Sequence, residues 1–231
     1  MDWKIADVNG DGILDNVYLY GKVDGPPGIY ADNMTIVIQD GRSSKRTSVP
    51  LKNTAGYNGR LFLGDFNKNH IADIMVSADT GGSGGYGIFY IYSFKNNILQ
   101  QLFDVDQYNE KYSFQVNYAD FYKVRVESPE LNVLFTIDIS NKGTDYLSQY
   151  YNKNGVLKES FEGGALAIGA LNPIITDNNS YKYDILAFQR IIGTVNADTL
   201  GYIVNLLTWE DNQFVSKWLS LLTSGEKLSS S

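Results

Sequence analysis

Cysteine is absent from the 231 residues, and histidine occurs once, at His70. Without thiols there are no disulfides, cysteine-bound zinc sites, iron–sulfur clusters or thiol nucleophiles. A single histidine rules out multi-histidine metal centres, and a Ser-His-Asp triad would have only His70 to draw on. Basic residues are few: 19 Lys and Arg stand against 26 Asp and Glu, a formal net charge of −7. Phosphate contacts need a basic face, so nucleic acid is excluded as the expected partner. No apolar run approaches the roughly 20 residues of a membrane span, so no transmembrane segment is expected.

What is present is apolar and aromatic. Hydrophobic residues make up 43% and aromatics 13%, enough for a packed core and too uncharged for a disordered chain. Asp outnumbers Glu by 19 to 7, beside 21 Asn and 22 Gly. Asp, Asn and Gly favour turns, and the first two carry short oxygen ligands. The 17 Tyr and 11 Phe favour strands. The composition is that of a turn-rich all-β protein.

An internal repeat organises the chain. Ile5-Ala-Asp7-Val-Asn9-Gly-Asp11-Gly-Ile-Leu-Asp15 aligns without gaps with Leu63-Gly-Asp65-Phe-Asn67-Lys-Asn69-His-Ile-Ala-Asp73, and the leading aspartates are 58 residues apart. Degenerate echoes follow at Asp120 and at Asp177–Asp184, after intervals of 55 and 57 residues. Short strand-like runs lie between these anchors. Ile88-Phe-Tyr-Ile-Tyr-Ser-Phe94 is almost continuously apolar, as expected of a strand covered on both faces. Four-stranded units at this period suggest a β-propeller-like fold of about four blades, spanning 2–52, 60–107, 111–160 and 164–222 in one domain, with a five-bladed or partly open form as the alternative. Asp145–Tyr151 reads alternatively as a short helix, and residues 223–231 as a disordered polar tail.

The pattern Asp7-x-Asn9-x-Asp11-Gly12-x-x-Asp15 points to calcium. Calcium is a hard cation that takes six to eight oxygens, and alternate residues of a tight loop aim short side chains at one point. Asp7, Asn9 and Asp11 would give side-chain oxygens, Ile13 a carbonyl, and Asp15 would close the cage, with Gly12 allowing the turn. An EF-hand would need Glu at the twelfth position, where Tyr18 stands in a strand-like run. The second loop offers Asp65, Asn67, Asn69, Ile71 and Asp73, with fewer carboxylates and Lys68 nearby. His70 takes the glycine position there and is read as a turn residue. The Asp120 and Asp177–Asp184 segments lack ligands at the middle positions and are read as turns alone.

The repeated loop between strands resembles the FG-GAP and VCBS repeats of integrin-like β-propellers over Trp3–Gly21 and Leu61–Phe94. The stretches Asp184–Arg190 and Ala197–Tyr202 resemble the C-terminal part of bacterial VCBS-repeat proteins. The resemblance implies calcium in the loop joining the first two strands of a blade, and an exported location. It implies no particular enzymatic activity.

No catalytic residue stands out. Gly81–Gly87 lacks the Gly-Lys-Ser/Thr ending of a phosphate loop and reads as a hairpin connection. Trp3, Trp209 and Trp218 are read first as packing residues and second as a sugar-stacking platform. The expectation is a monomeric, calcium-binding, non-catalytic extracellular or cell-surface module that presents a face to a protein or glycan, its signal peptide missing from this sequence. The alternative is a secreted polysaccharide hydrolase or lyase with a carboxylate or tyrosine site. A cluster of acids in a deep pocket would favour the enzyme, and a shallow face of Tyr and Trp would favour binding.

Overall fold

The protein is described by a computed structural model over residues 1–23, 30–53, 55–177 and 182–225. The end of the expected tail, from residue 226, and residues 178–181 of the last echo lie outside the described residues. The fold is all-β, with strands arranged in three antiparallel sheets, none closed into a barrel.

A first meander is built from β1 (Asp2–Ala6), β2 (Asp15–Lys22), β3 (Tyr30–Gln39) and β4 (Arg46–Pro50). A second is built from β5 (Gly56–Gly64), β6 (Asp73–Asp79), β7 (Gly87–Ser93) and β8 (Gln100–Asp104). They are not separate blades. Tyr30 pairs with Tyr57 and Ala31 with Gly56, fusing both meanders into one eight-stranded sheet. Helix α1 (Val105–Lys111) follows, its first turn capped by the Asp104 carboxylate, which accepts from the Asp106 and Gln107 N–H groups. This helix was not expected from the sequence.

The third unit holds three strands, β9 (Gln115–Ala119), β10 (Lys123–Ser128) and β11 (Val133–Asp138), one fewer than a four-stranded blade. Helix α2 (Thr144–Tyr150) follows β11, so the helical reading of this stretch is the one realised. The fourth unit is the regular meander β12 (Gly164–Ile174), β13 (Asp184–Ile192), β14 (Thr199–Glu210) and β15 (Gln213–Leu222).

Two apolar cores explain the stacking. One lies within the eight-stranded sheet and includes Val17, Ile36, Ile74, Val76, Ile88, Tyr90 and Tyr92. The other joins the second unit to the third and fourth through Met75, Phe89, Ile91, Phe103, Val124, Ile168, Ile185 and Ile203. Side chains alternate faces along a strand. Strands β6 and β7 therefore send Ile74, Val76, Ile88 and Tyr90 into one core, and Met75, Phe89 and Ile91 into the other. That double burial is why β7 carries no polar face, and all seven of its residues are buried.

The repeat has a structural counterpart. The first loop closes between Ala6 and Asp15, the second between Gly64 and Asp73, so each holds the same number of residues. Asp15, Asp73 and Asp184 each open the second strand of their unit, and each is buried. The loops are also joints. The Asp7 carbonyl accepts from the Ala72 N–H at 3.3 Å, and the Asp65 carbonyl from the Tyr183 N–H at 2.8 Å. In both cases the donor immediately precedes the buried aspartate of the neighbouring unit. The joints run from first unit to second, and from second to fourth.

Candidate functional site

In the first loop every expected side chain is engaged. The Asp7 carboxylate accepts from the Gly10 N–H at 2.7 Å and the Gly12 N–H at 2.9 Å. Both glycines have φ above +80°, a conformation other residues adopt only with strain. Asn9 Oδ1 accepts from the Asp11 N–H, and its Nδ2 donates to Asp40. Asp11 accepts from the Ile13 N–H, and Arg42 donates its Nε–H to Asp11 Oδ2 at 2.7 Å. The guanidinium beside it holds the Asp11 carboxyl below its ordinary value, aided by the Ile13 N–H. Asp15 faces inward with no exposed surface, and its oxygens accept from the Val8 and Gly41 N–H groups. Its visible work is to brace the loop from inside. The Ile13 side chain lies partly in solvent.

The second loop repeats the scheme with substitutions. Asp65 accepts from the Asn69 and His70 N–H groups, both at 2.9 Å, and Asn69 Oδ1 from the Ile71 N–H. His70 is exposed at φ +69°, a turn residue as expected. Asp73, also fully buried, accepts from the Phe66 and Asn67 N–H groups and from Asn67 Nδ2. Burial pushes its carboxyl up to about 6 against these bonds. Lys68 does not approach the loop oxygens. It reaches Asp184 at 3.1 Å and Thr208 in the fourth unit. Asn67 Oδ1 is buried without a hydrogen-bond partner.

Hard oxygen donors are thus present in both loops, although among the described residues no three His, Cys, Asp or Glu side chains are placed together to hold a metal. The loop 1 donors suit calcium chemically, and Arg42 competes for the same charge. Nothing in the sequence near Asp11 announced Arg42, because it arrives from the β3–β4 turn.

The carboxylate and tyrosine cluster that an enzyme would need lies at the third unit. Tyr118 and Tyr146 share a hydroxyl–hydroxyl bond of 2.9 Å, Tyr146 donates to Asp198, and Lys142 pairs with Asp198 at 2.6 Å. Burial raises both tyrosine hydroxyls well above their ordinary value, with the Asp198 bond adding to the rise at Tyr146. Neutral, mutually satisfied hydroxyls make poor general bases. The arrangement ties α2 to the loop before β14.

A shallow aromatic face is present on the first unit. Trp3 on β1 pairs with Tyr18 on β2, and Tyr20 follows two residues on, so all three rings leave the sheet on one side. Trp3 and Tyr18 lie 6.4 Å apart, Tyr18 and Tyr20 5.5 Å apart, each pair tilted by only 20°. Trp3 is 50% exposed and Tyr20 51%, with Ile5 beside them at 48%. The Trp3 indole N–H donates to Asn16 Oδ1 at 3.2 Å, which fixes the ring. Trp3 is therefore not a packing residue as first read. Trp209 is one, set edge-on to Phe214. The alternation Asn16-x-Tyr18-x-Tyr20 opposite Trp3 was the available signal for this face.

The model of the YybI C-terminal domain family matches residues 112–222, the third and fourth units together. The Bacillus subtilis (strain 168) protein named "Uncharacterized protein YybI" is 38% identical over 225 residues, covering 97% of this chain and 85% of that protein. The chain belongs to the YybI family. This corrects the FG-GAP and VCBS resemblance, since the family that matches is a different one and its model covers the half with the most degenerate loops. The misleading motif is short and held by hydrogen bonds within its own loop, so such a loop can arise on unrelated chains. No solved structure matches the chain.

Proposed function

We propose that this YybI-family protein is a non-catalytic binding module that presents the Trp3–Tyr18–Tyr20 face to a glycan. The supporting observation is a row of three near-parallel rings on one sheet face, with Trp3 and Tyr20 exposed and Tyr18 half-buried between them. Large aromatics are normally buried, and an exposed group of them marks a binding surface. Their apolar faces suit the C–H face of a sugar ring. Around them Asn16 and Gln39 offer amides, and Arg46 donates to Gln39, giving a polar rim for hydroxyl groups. Binding of a polysaccharide panel, followed by the change in Trp fluorescence, tests the reading. Trp3→Ala should abolish binding while leaving the melting temperature within about 2 °C, because an exposed side chain contributes little to folding. A panel that binds nowhere, or binds equally well to Trp3→Ala, would end it.

Calcium belongs to the same proposal. Asp7, Asn9, Asp11 and the Ile13 carbonyl would take the ion at the first loop, with Asp15 bracing it. At the second loop Asp65, Asn67, Asn69 and Ile71 would do so, with Asp73 behind them. The orphaned Asn67 Oδ1 supports the second site, since a buried acceptor without a partner is costly. Extracellular or surface placement goes with this reading, because weak calcium sites fill in calcium-rich fluid. A propeller-like stacking of the units is the accompanying proposal for the fold. The repeated joints, Asp7 to Ala72 and Asp65 to Tyr183, support it.

A further inference from the structure

The glycine-rich connection between β6 and β7 is a roof. It folds over the outer face of the fourth unit's sheet and overhangs an open cavity of about 420 Å³. The glycines are there for geometry. Gly81, Gly82 and Gly85 have φ between +66° and +83°. A Cβ on Gly169 of β12 would come within 2.6 Å of the Gly85 carbonyl, so the two backbones approach as only bare glycines allow.

The floor of the cavity carries Phe188, Arg190 and Tyr202. Phe188 and Arg190 are two apart on β13, and Tyr202 pairs with Arg190 across β14, so all three point to the roofed side. Arg190 is half-buried, and its partners are all neutral oxygens. It donates to the Ser83 carbonyl at 3.0 Å, to Asn196 Oδ1 at 3.1 Å and to Thr199 Oγ1 at 3.3 Å. Among the described residues no carboxylate pairs with it, and its Nε–H has no protein acceptor. A guanidinium is a planar fork of donors shaped for a carboxylate, and here only neutral oxygens meet it. Here the counter-charge is missing from the described residues, and Arg190 lines the cavity beside Phe188 and Tyr202.

We infer that this cavity binds a small ring-bearing carboxylate, with Arg190 taking the carboxylate and Phe188 and Tyr202 flanking the ring. The site is independent of the Trp3 face, which lies on another sheet. Arg is the side chain best shaped for a carboxylate, and the ring walls select a flat or alicyclic body over a bare ion. Arg190 also pins the roof through Ser83, and Asn196 Nδ2 pins it again through Ser83 Oγ at 3.1 Å. Ligand would therefore enter beneath a loop that is already held in place.

The test is calorimetric titration of the whole chain with benzoate and with glucuronate, each against its uncharged counterpart, benzamide and glucose. The two acids separate an aromatic from a sugar body. Binding of either acid at least about tenfold tighter than its neutral counterpart supports the inference, a factor that matches one charge-assisted hydrogen bond. Arg190→Gln should then weaken the acid by about tenfold, and Asn196→Ala, which loosens the roof but keeps the charge, should weaken it less. Melting temperature reports whether the variants remain folded. If Arg190→Gln does not fold, the acid-to-neutral ratio of the unaltered protein decides. No binding of either acid, equal binding of acid and neutral counterpart, or undiminished binding by folded Arg190→Gln would overturn the inference.

Discussion

Replacing Tyr108 by Phe removes one hydroxyl from the joint between the two halves of the molecule, and its effect can be worked out in advance. Tyr108 lies on α1, ahead of the third unit. Its hydroxyl donates to Gln189 Oε1 on β13 at 3.3 Å and accepts from Asn205 Nδ2 on β14 at 3.1 Å. Asn205 has no exposed surface, and its Oδ1 accepts from Ser216 Oγ on β15 at 2.6 Å. Gln189 Nε2 donates to the Tyr112 and Leu166 carbonyls. Phe keeps the ring packing against Phe103 and Tyr112, so no cavity opens. What is lost is the partner of a buried amide donor, which costs about 1–3 kcal/mol. For a chain of this length 1 kcal/mol moves the midpoint by about 2–4 °C, so thermal melting should fall by about 2–12 °C. Urea unfolding should show a lower midpoint at unchanged slope. Adding Asn205→Leu removes the orphaned amide, so the double variant should lose less than the sum of the singles, by at least about 0.5 kcal/mol. An unchanged midpoint for Tyr108→Phe, or strict additivity with Asn205→Leu, would refute the idea that this network carries the joint.

Other expectations follow from the same geometry. Ile91→Ala, at a side chain with no exposed surface inside the second core, should cost about 2–5 kcal/mol in urea unfolding. Calcium should raise the melting temperature and chelation lower it; Asp11→Ala should cancel that response, and Arg42→Ala, by removing the competing cation, should tighten calcium binding in calorimetry. Acid unfolding should draw on Asp184. Burial opposes its ionisation, yet bonds from Thr176, Thr208 and Lys68 hold its carboxyl below the ordinary value, so its contribution is present above about pH 3.9 and lost as the pH falls further. Asp73 acts in the opposite sense. With its folded pKa at about 6, the native state holds the extra proton, so this term weakens stability as pH rises from about 4 to about 6. Asp73→Asn should remove that slope from a pH series of urea midpoints, whatever it does to the absolute value.

Much of the chain could be read from local pattern. Alternation, turn residues and the Asp-led repeat locate the strands of all four units, and the unbroken apolar run at Ile88–Phe94 announces a strand buried on both faces. These features are local: side-chain period, positive-φ turns and Asn or Asp bonds to nearby N–H groups are fixed by residues a few positions apart. Helix α1 escaped notice because a seven-residue helix capped by Asp104 has almost no period to detect. What tertiary structure alone decided is which distant groups meet. Arg42 reaches Asp11 from 31 residues away, Lys68 leaves its own loop for Asp184, and the Gly85 and Gly169 backbones touch across two sheets. The same motif that reads as a calcium cage is, in the folded chain, also a joint between units. A loop's sequence specifies its hydrogen bonds to itself, while the charge that answers its carboxylates, and the sheet it rests on, are set by packing between sheets that no short stretch encodes.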